Sequence, residues 1–69
     1  MKTFETIREA FDWWIKNVYP DLPAETKKGR PVTAWRDYTH NLGISETRMK
    51  EILLEYGNFE IKTIITYKP

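Results

Sequence analysis

The run Leu-Gly-Ile-Ser at residues 42–45 separates two helical patterns and limits how the second half of the chain can fold. Glycine readily takes the left-handed conformation that ends a helix, and serine is a favoured N-cap for the next helix. We therefore predict one helix over about 34–41, capped by Thr33, and another over about 46–56. Leu42 and Ile44 are expected to fill the corner between the two helices.

The first helix is the clearest single element. Apolar residues recur at spacings of three and four over residues 4–18, which places them on one face of a helix. Thr3 can cap this helix, and Tyr19-Pro20 can end it, because the residue before proline is pushed out of the helical region. Trp13 lies nearly opposite the apolar face, so either the C-terminal segment covers it or a partner contacts it. The apolar face comprises Phe4, Ile7, Phe11, Trp14, Ile15 and Val18.

Residues 20–31 and 58–68 complete the predicted secondary structure. Residues 20–31 contain three of the four prolines, and we interpret them as a connection with one helical turn over about 23–27. Residues 58–68 alternate apolar and polar side chains with the period of two that is typical of a strand. Since no tight-turn signal interrupts this alternation, one long strand is favoured over a hairpin. Its partner is expected to be either a short strand at Arg30–Val32 or residues 59–67 of a second copy, in a homodimer.

Size and composition restrict the class of protein. The 69 residues are expected to form a single domain, 1–69, in which residues 33–57 hold the two helices and their turn. Without cysteine, neither a disulfide nor a thiolate metal site can stabilise it. No apolar run approaches the ~20 residues that span a bilayer, and the start lacks the apolar stretch of a signal peptide. We therefore expect a soluble, cytoplasmic protein without membrane contact.

Residues 35–53, WRDYTHNLGISETRMKEIL, resemble the helix-turn-helix of small prokaryotic and phage regulators, including winged-helix and Cro-like proteins. The resemblance implies an α+β, mainly α fold: a three-helix helix-turn-helix domain with a C-terminal β-strand or small wing. It also implies a DNA-binding regulatory protein that acts at a transcription, recombination or replication site, with double-stranded DNA as its partner. The residues that it would place at DNA are Ser45, Glu46, Thr47, Lys50 and Glu51, with Arg48 at the flank.

Basic residues outside this motif could supply phosphate contacts. The Lys-Gly-Arg-Pro of residues 28–31 resembles the core of an AT-hook, a flat segment that lies in the minor groove. This resemblance implies that Lys27, Lys28 and Arg30 form a minor-groove or phosphate clamp, although a solvated linker would also explain the run. Lys62 and Lys68 on the terminal strand could act as a wing-like phosphate contact.

Enzyme chemistry is not indicated by the sequence. His40 is the one histidine, and there is neither a cysteine nor a second histidine to share a metal ion. The carboxylates lie at the spacings of solvated helix faces, and no glycine-rich phosphate loop follows a strand. We predict no catalytic residue, metal, cofactor or small-molecule substrate. The alternative to DNA binding is a small inhibitor or adaptor that binds protein through Trp13, Leu54 and the strand edge.

Overall fold

The computed structural model describes residues 2–68, which form a mainly helical α+β fold with a small antiparallel sheet. The α+β, mainly α class is therefore confirmed. No helix in this part of the chain is long and apolar enough to cross a membrane. In chain order the elements are β1 (Lys2–Phe4), α1 (Ile7–Asn17), a 3-10 helix (Tyr19–Asp21), α2 (Ala24–Lys27), α3 (Arg30–Thr39), α4 (Glu46–Tyr56), β2 (Phe59–Ile61) and β3 (Ile65–Tyr67).

The start of α1 differs from the prediction. Thr6, and not Thr3, is its N-cap: the Thr6 hydroxyl accepts a hydrogen bond of 3.1 Å from the Glu9 backbone N–H. The helix consequently begins at Ile7, and Phe4 belongs to β1 instead. An N-terminal strand was not predicted from the sequence, because a three-residue strand has too few positions to display an alternating pattern.

The start of α3 also corrects a prediction. Gly29, with φ of +79°, precedes the helix, and α3 begins at Arg30, earlier than the sequence suggested. Pro31 fits the first turn, where its missing N–H removes no helical hydrogen bond. Thr33 lies inside the helix, where its hydroxyl donates a 3.1 Å bond to the Gly29 carbonyl. Neither a strand at Arg30–Val32 nor an extended, AT-hook-like arm through Arg30-Pro31 is therefore present.

The prediction for α4 is confirmed. The helix covers Glu46–Tyr56, and the Ser45 hydroxyl accepts a 3.2 Å hydrogen bond from the Arg48 backbone N–H. Gly43 has φ of +88°, the left-handed conformation expected in the turn. Ile44 is half-buried, as a corner residue should be, whereas Leu42 is 65% exposed and does not fill the corner.

The C-terminal segment is a hairpin, so the prediction of one long strand was wrong. β2 and β3 pair antiparallel, with Phe59 opposite Tyr67, and the Lys62 N–H donates to the Ile64 carbonyl across the short loop. β1 pairs with the other edge of β3, in the strand order β1-β3-β2. Since both edges of β3 are occupied, it cannot pair with a second copy of itself unless the sheet opens.

The core lies where α4 packs against α1 and α3, with the sheet at one end. Trp13 of α1 is half-buried against the sheet, with its ring centroid 5.5 Å from Phe4 and 5.0 Å from Tyr67. The expectation that the C-terminal segment covers Trp13 is therefore confirmed, with β1 as an additional cover. The buried apolar residues are Ala10, Phe11, Trp14, Ile15, Tyr19, Ala34, Met49, Ile52, Leu53, Phe59 and Ile65.

Candidate nucleic-acid interface

The outward face of α4 is exposed. At about 100° per residue, Thr47 and Leu54 lie opposite the buried residues of this helix. Both are exposed, Leu54 at 49%. Lys50 is also exposed, between them on the same face. Five residues that were predicted to face DNA are all exposed: Ser45, Glu46, Thr47, Lys50 and Glu51.

Arg30 joins the start of α3 to the acidic side of α4, in a contact that was not predicted. Its Nη2 lies 2.7 Å from a Glu51 oxygen, and its Nη1 lies 3.3 Å from a Glu55 oxygen. The hydrogen bond to Glu51, and then the charge of Glu55, raise the pKa of Arg30. Arg30 thus offsets negative charge on α4, while its side chain stays 56% exposed. No local sequence pattern signals this contact, because the partners lie far apart along the chain.

Arg48 is turned towards α3. Its Nη1 lies 2.8 Å from an oxygen of Asp37, whose side chain is 17% exposed. A charged pair in this half-buried position ties the two helices together, since separating it would leave a poorly solvated carboxylate. Arg48 was predicted to lie at the flank of a DNA contact, and its side chain retains 41% exposure there.

The two lysines of the basic run lie in different environments. The Lys27 ammonium donates a 3.1 Å hydrogen bond to the Pro20 carbonyl and lies 5.3 Å from the centre of the Tyr19 ring. Lys27 is thus folded back on its own connection. Lys28 is exposed and forms no salt bridge within residues 2–68. The predicted clamp of Lys27, Lys28 and Arg30 is therefore not a single extended basic surface.

The hairpin carries its own charge cluster. Lys68 lies 2.7 Å from Glu60, and Lys62 lies 3.4 Å from the same carboxylate. The hydrogen bond from Lys68, followed by that from Lys62, lowers the pKa of Glu60. Lys62 is 76% exposed next to the hairpin loop, where it can reach a ligand beyond the protein surface.

No group of three or more His, Cys, Asp or Glu side chains within residues 2–68 is placed to hold a metal ion. His40 follows the last residue of α3, where it is exposed, and its ring centre lies 6.0 Å from that of Trp35. The environment of His40 is thus aromatic and solvated.

Comparisons of the chain with protein-family models, with curated proteins and with solved structures gave no match. A functional proposal therefore has to come from the side chains of this protein.

Proposed function

We propose that this chain is a DNA-binding regulatory protein in which α4 enters the major groove. The observation that carries the proposal is the outward face of α4. This face follows a left-handed turn at Gly43 and starts at a serine-capped N-terminus, and its Thr47, Lys50 and Leu54 side chains are exposed. Thr47 and Lys50 on this face are of the types that hydrogen-bond base edges.

The hairpin supports the same proposal. It follows α4 directly, and its loop, residues 62–64, is exposed. In a winged-helix arrangement this loop is the wing, and Lys62 makes a phosphate contact beside the groove that α4 occupies. Regulation of transcription, recombination or replication is the corresponding role.

Existing ion pairs do not prevent such contacts. Arg30, Lys62 and Lys68 lie on carboxylates at the surface, and their side chains are at least half exposed. Exposed ion pairs contribute little net stability, so exchanging a carboxylate for a DNA phosphate costs little. Lys28 needs no such exchange, because it forms no salt bridge within residues 2–68.

A second function, binding a protein partner, is favoured by one observation. Within residues 2–68, four large apolar side chains are exposed: Val32, Leu42, Leu54 and Ile64. Leu54 lies in the middle of the α4 surface and has no counterpart among the hydrogen-bonding groups that read bases. In this alternative the chain is an inhibitor or adaptor, and Leu54 anchors the partner.

A salt titration with duplex DNA tests the first function. The protein is titrated into a labelled duplex of random sequence at several salt concentrations. We expect the logarithm of the binding constant to fall linearly with the logarithm of the salt concentration, by about 0.9 per phosphate contact. No measurable binding to random or selected duplexes at low salt contradicts the proposal.

Leu54→Lys separates the two functions. An added positive charge on the α4 face strengthens duplex binding and steepens its salt dependence if this face meets DNA. The same substitution removes the apolar anchor of a protein complex. Leu54→Ala is the matched control, since it shortens the side chain without adding charge.

A further inference from the structure

A second surface, lined mainly by charged and polar residues, lies between α1 and the turn that leads into α4. It is an open cleft of about 550 Å³. One wall is α1, the other is the end of α3, and the floor continues into the turn before Ser45. The residues that line it are Arg8, Lys16, Asp37, Tyr38, Thr39, Asn41, Gly43 and Ile44.

The charges around this cleft sum to a positive value. Arg8 forms no salt bridge within the described residues, while Lys16 lies 3.0 Å from Asp12. The acid on the opposite wall, Asp37, is already held by Arg48 at 2.8 Å. The two ion pairs cancel, and the charge of Arg8 remains.

The positive charge of Arg8 also acts on the Tyr38 hydroxyl. Burial, followed by its hydrogen bond to Asp12, raises the pKa of the Tyr38 hydroxyl, whereas the positive charge of Arg8 opposes the rise. Arg8 and Tyr38 both line the cleft.

The turn adds backbone donors. Asn41 and Gly43 both have positive φ, at 56° and 88°. The N–H groups of Gly43 and Ile44 donate to no backbone or side-chain acceptor within residues 2–68. Unpaired N–H groups in a turn beside a guanidinium are suited to an anion.

We infer that this cleft binds phosphate groups of the DNA backbone, with Arg8 as the principal cation and Lys16 as the second. The inference rests on the proposed DNA binding and adds contacts on α1 that the sequence did not suggest. Arg8 and Lys16 are separated by about 12 Å along the helix axis, at about 1.5 Å per residue. One phosphate cannot meet both, whereas a strand with one charge per about 3.4 Å can.

The position of the cleft also favours a backbone ligand. Ile44 lines it and precedes the cap of α4, and Asp37 lines it and binds Arg48 of α4. The cleft is therefore continuous with the N-terminal end of the proposed recognition helix. Its open shape suits a polymer that continues beyond the protein on either side.

Arg8→Gln tests the inference, with Arg36→Gln as the matched control. Arg36 is exposed on α3, forms no salt bridge among the described residues and does not line the cleft. We expect Arg8→Gln to weaken binding equally on different duplexes and to reduce the salt slope by about 0.9, as one lost phosphate contact requires. The control keeps the slope of the unmodified protein. Circular dichroism and the thermal midpoint verify that both variants are folded.

Amide spectra supply a second measurement. Under the inference, duplex DNA shifts the Gly43 and Ile44 N–H signals, and Arg8→Gln reduces these shifts. Inorganic phosphate, at the same phosphate concentration, is the probe for a free-anion site. Shifts caused by inorganic phosphate but not by duplex overturn the DNA-backbone assignment. Duplex binding by the unmodified protein with an unchanged slope in Arg8→Gln overturns this inference alone, whereas absence of duplex binding overturns the proposed function as well.

Discussion

The Tyr38 hydroxyl donates a 2.6 Å hydrogen bond to the Asp12 carboxylate, and this bond joins α3 to α1 beside the core. It is the largest cause of the lowered pKa of Asp12, and a hydrogen bond from Lys16 adds to it. A carboxylate whose pKa is lower in the folded than in the unfolded chain stabilises the fold when it is ionised. Asp12 and Tyr38 therefore make the stability of the α1–α3 contact depend on pH.

Tyr38→Phe should weaken that dependence, while the part due to Lys16 is retained. Near neutral pH we expect the free energy of unfolding to fall by about 1 kcal/mol, the usual value of one hydrogen bond. The contribution of Asp12 is present above its ordinary pKa of 3.8 and is lost as the pH falls through the lower, folded value. The difference between the two proteins should therefore shrink below pH 3.8 in urea unfolding, and the Asp12 pKa measured by NMR should rise towards 3.8 in Tyr38→Phe. In the control, Tyr56→Phe, the lost hydroxyl has no hydrogen-bond partner within residues 2–68, and an equally pH-dependent loss there would contradict the assignment.

Replacing both Glu51 and Glu55 with Gln should strengthen duplex binding. The substitutions remove two negative charges from α4 and the ion pairs that Arg30 must exchange for a phosphate, so we expect a larger binding constant at each salt concentration. Asp21→Asn combined with Glu25→Gln changes the net charge equally on an exposed surface of other elements. If both double variants bind equally tightly, net charge explains the gain and the role of Arg30 is excluded.

Thr47→Ala and Lys50→Ala should change which DNA sequence is preferred. A side chain that hydrogen-bonds a base edge contributes about 1–3 kcal/mol of discrimination at one position. Selection from randomised duplexes, performed with each variant and with the unmodified protein, measures the preference position by position. Uniform weakening on every sequence would instead identify these residues as phosphate contacts.

Gly57→Ala should destabilise the protein through crowding. A Cβ atom at Gly57 would lie 2.8 Å from Phe59 Cδ1 and 2.9 Å from the Leu53 carbonyl oxygen. Overpacking of this kind costs about 1–3 kcal/mol, which denaturant unfolding measures.

Gly43 offers the contrast, since a Cβ there meets nothing within 4 Å and only its positive φ is unfavourable. Gly43→Asn should thus recover part of the loss in Gly43→Ala, because Asn tolerates that conformation. An equal recovery in Gly57→Asn would rule out crowding as the cause.

Homodimerisation stays a prediction. Pairing of β3 with a second copy cannot be its basis, because both edges of β3 are occupied within the sheet. The hairpin still offers one exposed large apolar side chain to a second copy, that of Ile64, which is 55% exposed. We expect sedimentation equilibrium to show a dimer that Ile64→Lys converts to a monomer with an unchanged circular dichroism spectrum. Ile64→Val is the conservative control and should keep the dimer. A monomeric unmodified protein, at concentrations well above those used for DNA binding, would falsify the prediction.

The sequence by itself determined α4 and most of α1. The Ser45 cap, the Gly43 turn and the apolar spacing of α1 all act within one or two helical turns, so the residues that decide them are neighbours in the chain. The exposed face of α4 follows from the same spacing, since residues opposite the buried ones must point outward. For this reason the exposure of Thr47 and Lys50 could be anticipated without coordinates.

Only the tertiary structure decided the sheet and the charge contacts. Residues 58–68 alternate like one strand, yet they fold as a hairpin, and Lys2–Phe4 from the other end of the described residues pairs with β3. Arg30 is separated from Glu51 by 21 positions and meets it only because α3 packs on α4. Strand pairing and ion pairs between helices bring together residues that are far apart in the chain. Local periodicity does not indicate which distant segment a strand or helix will contact.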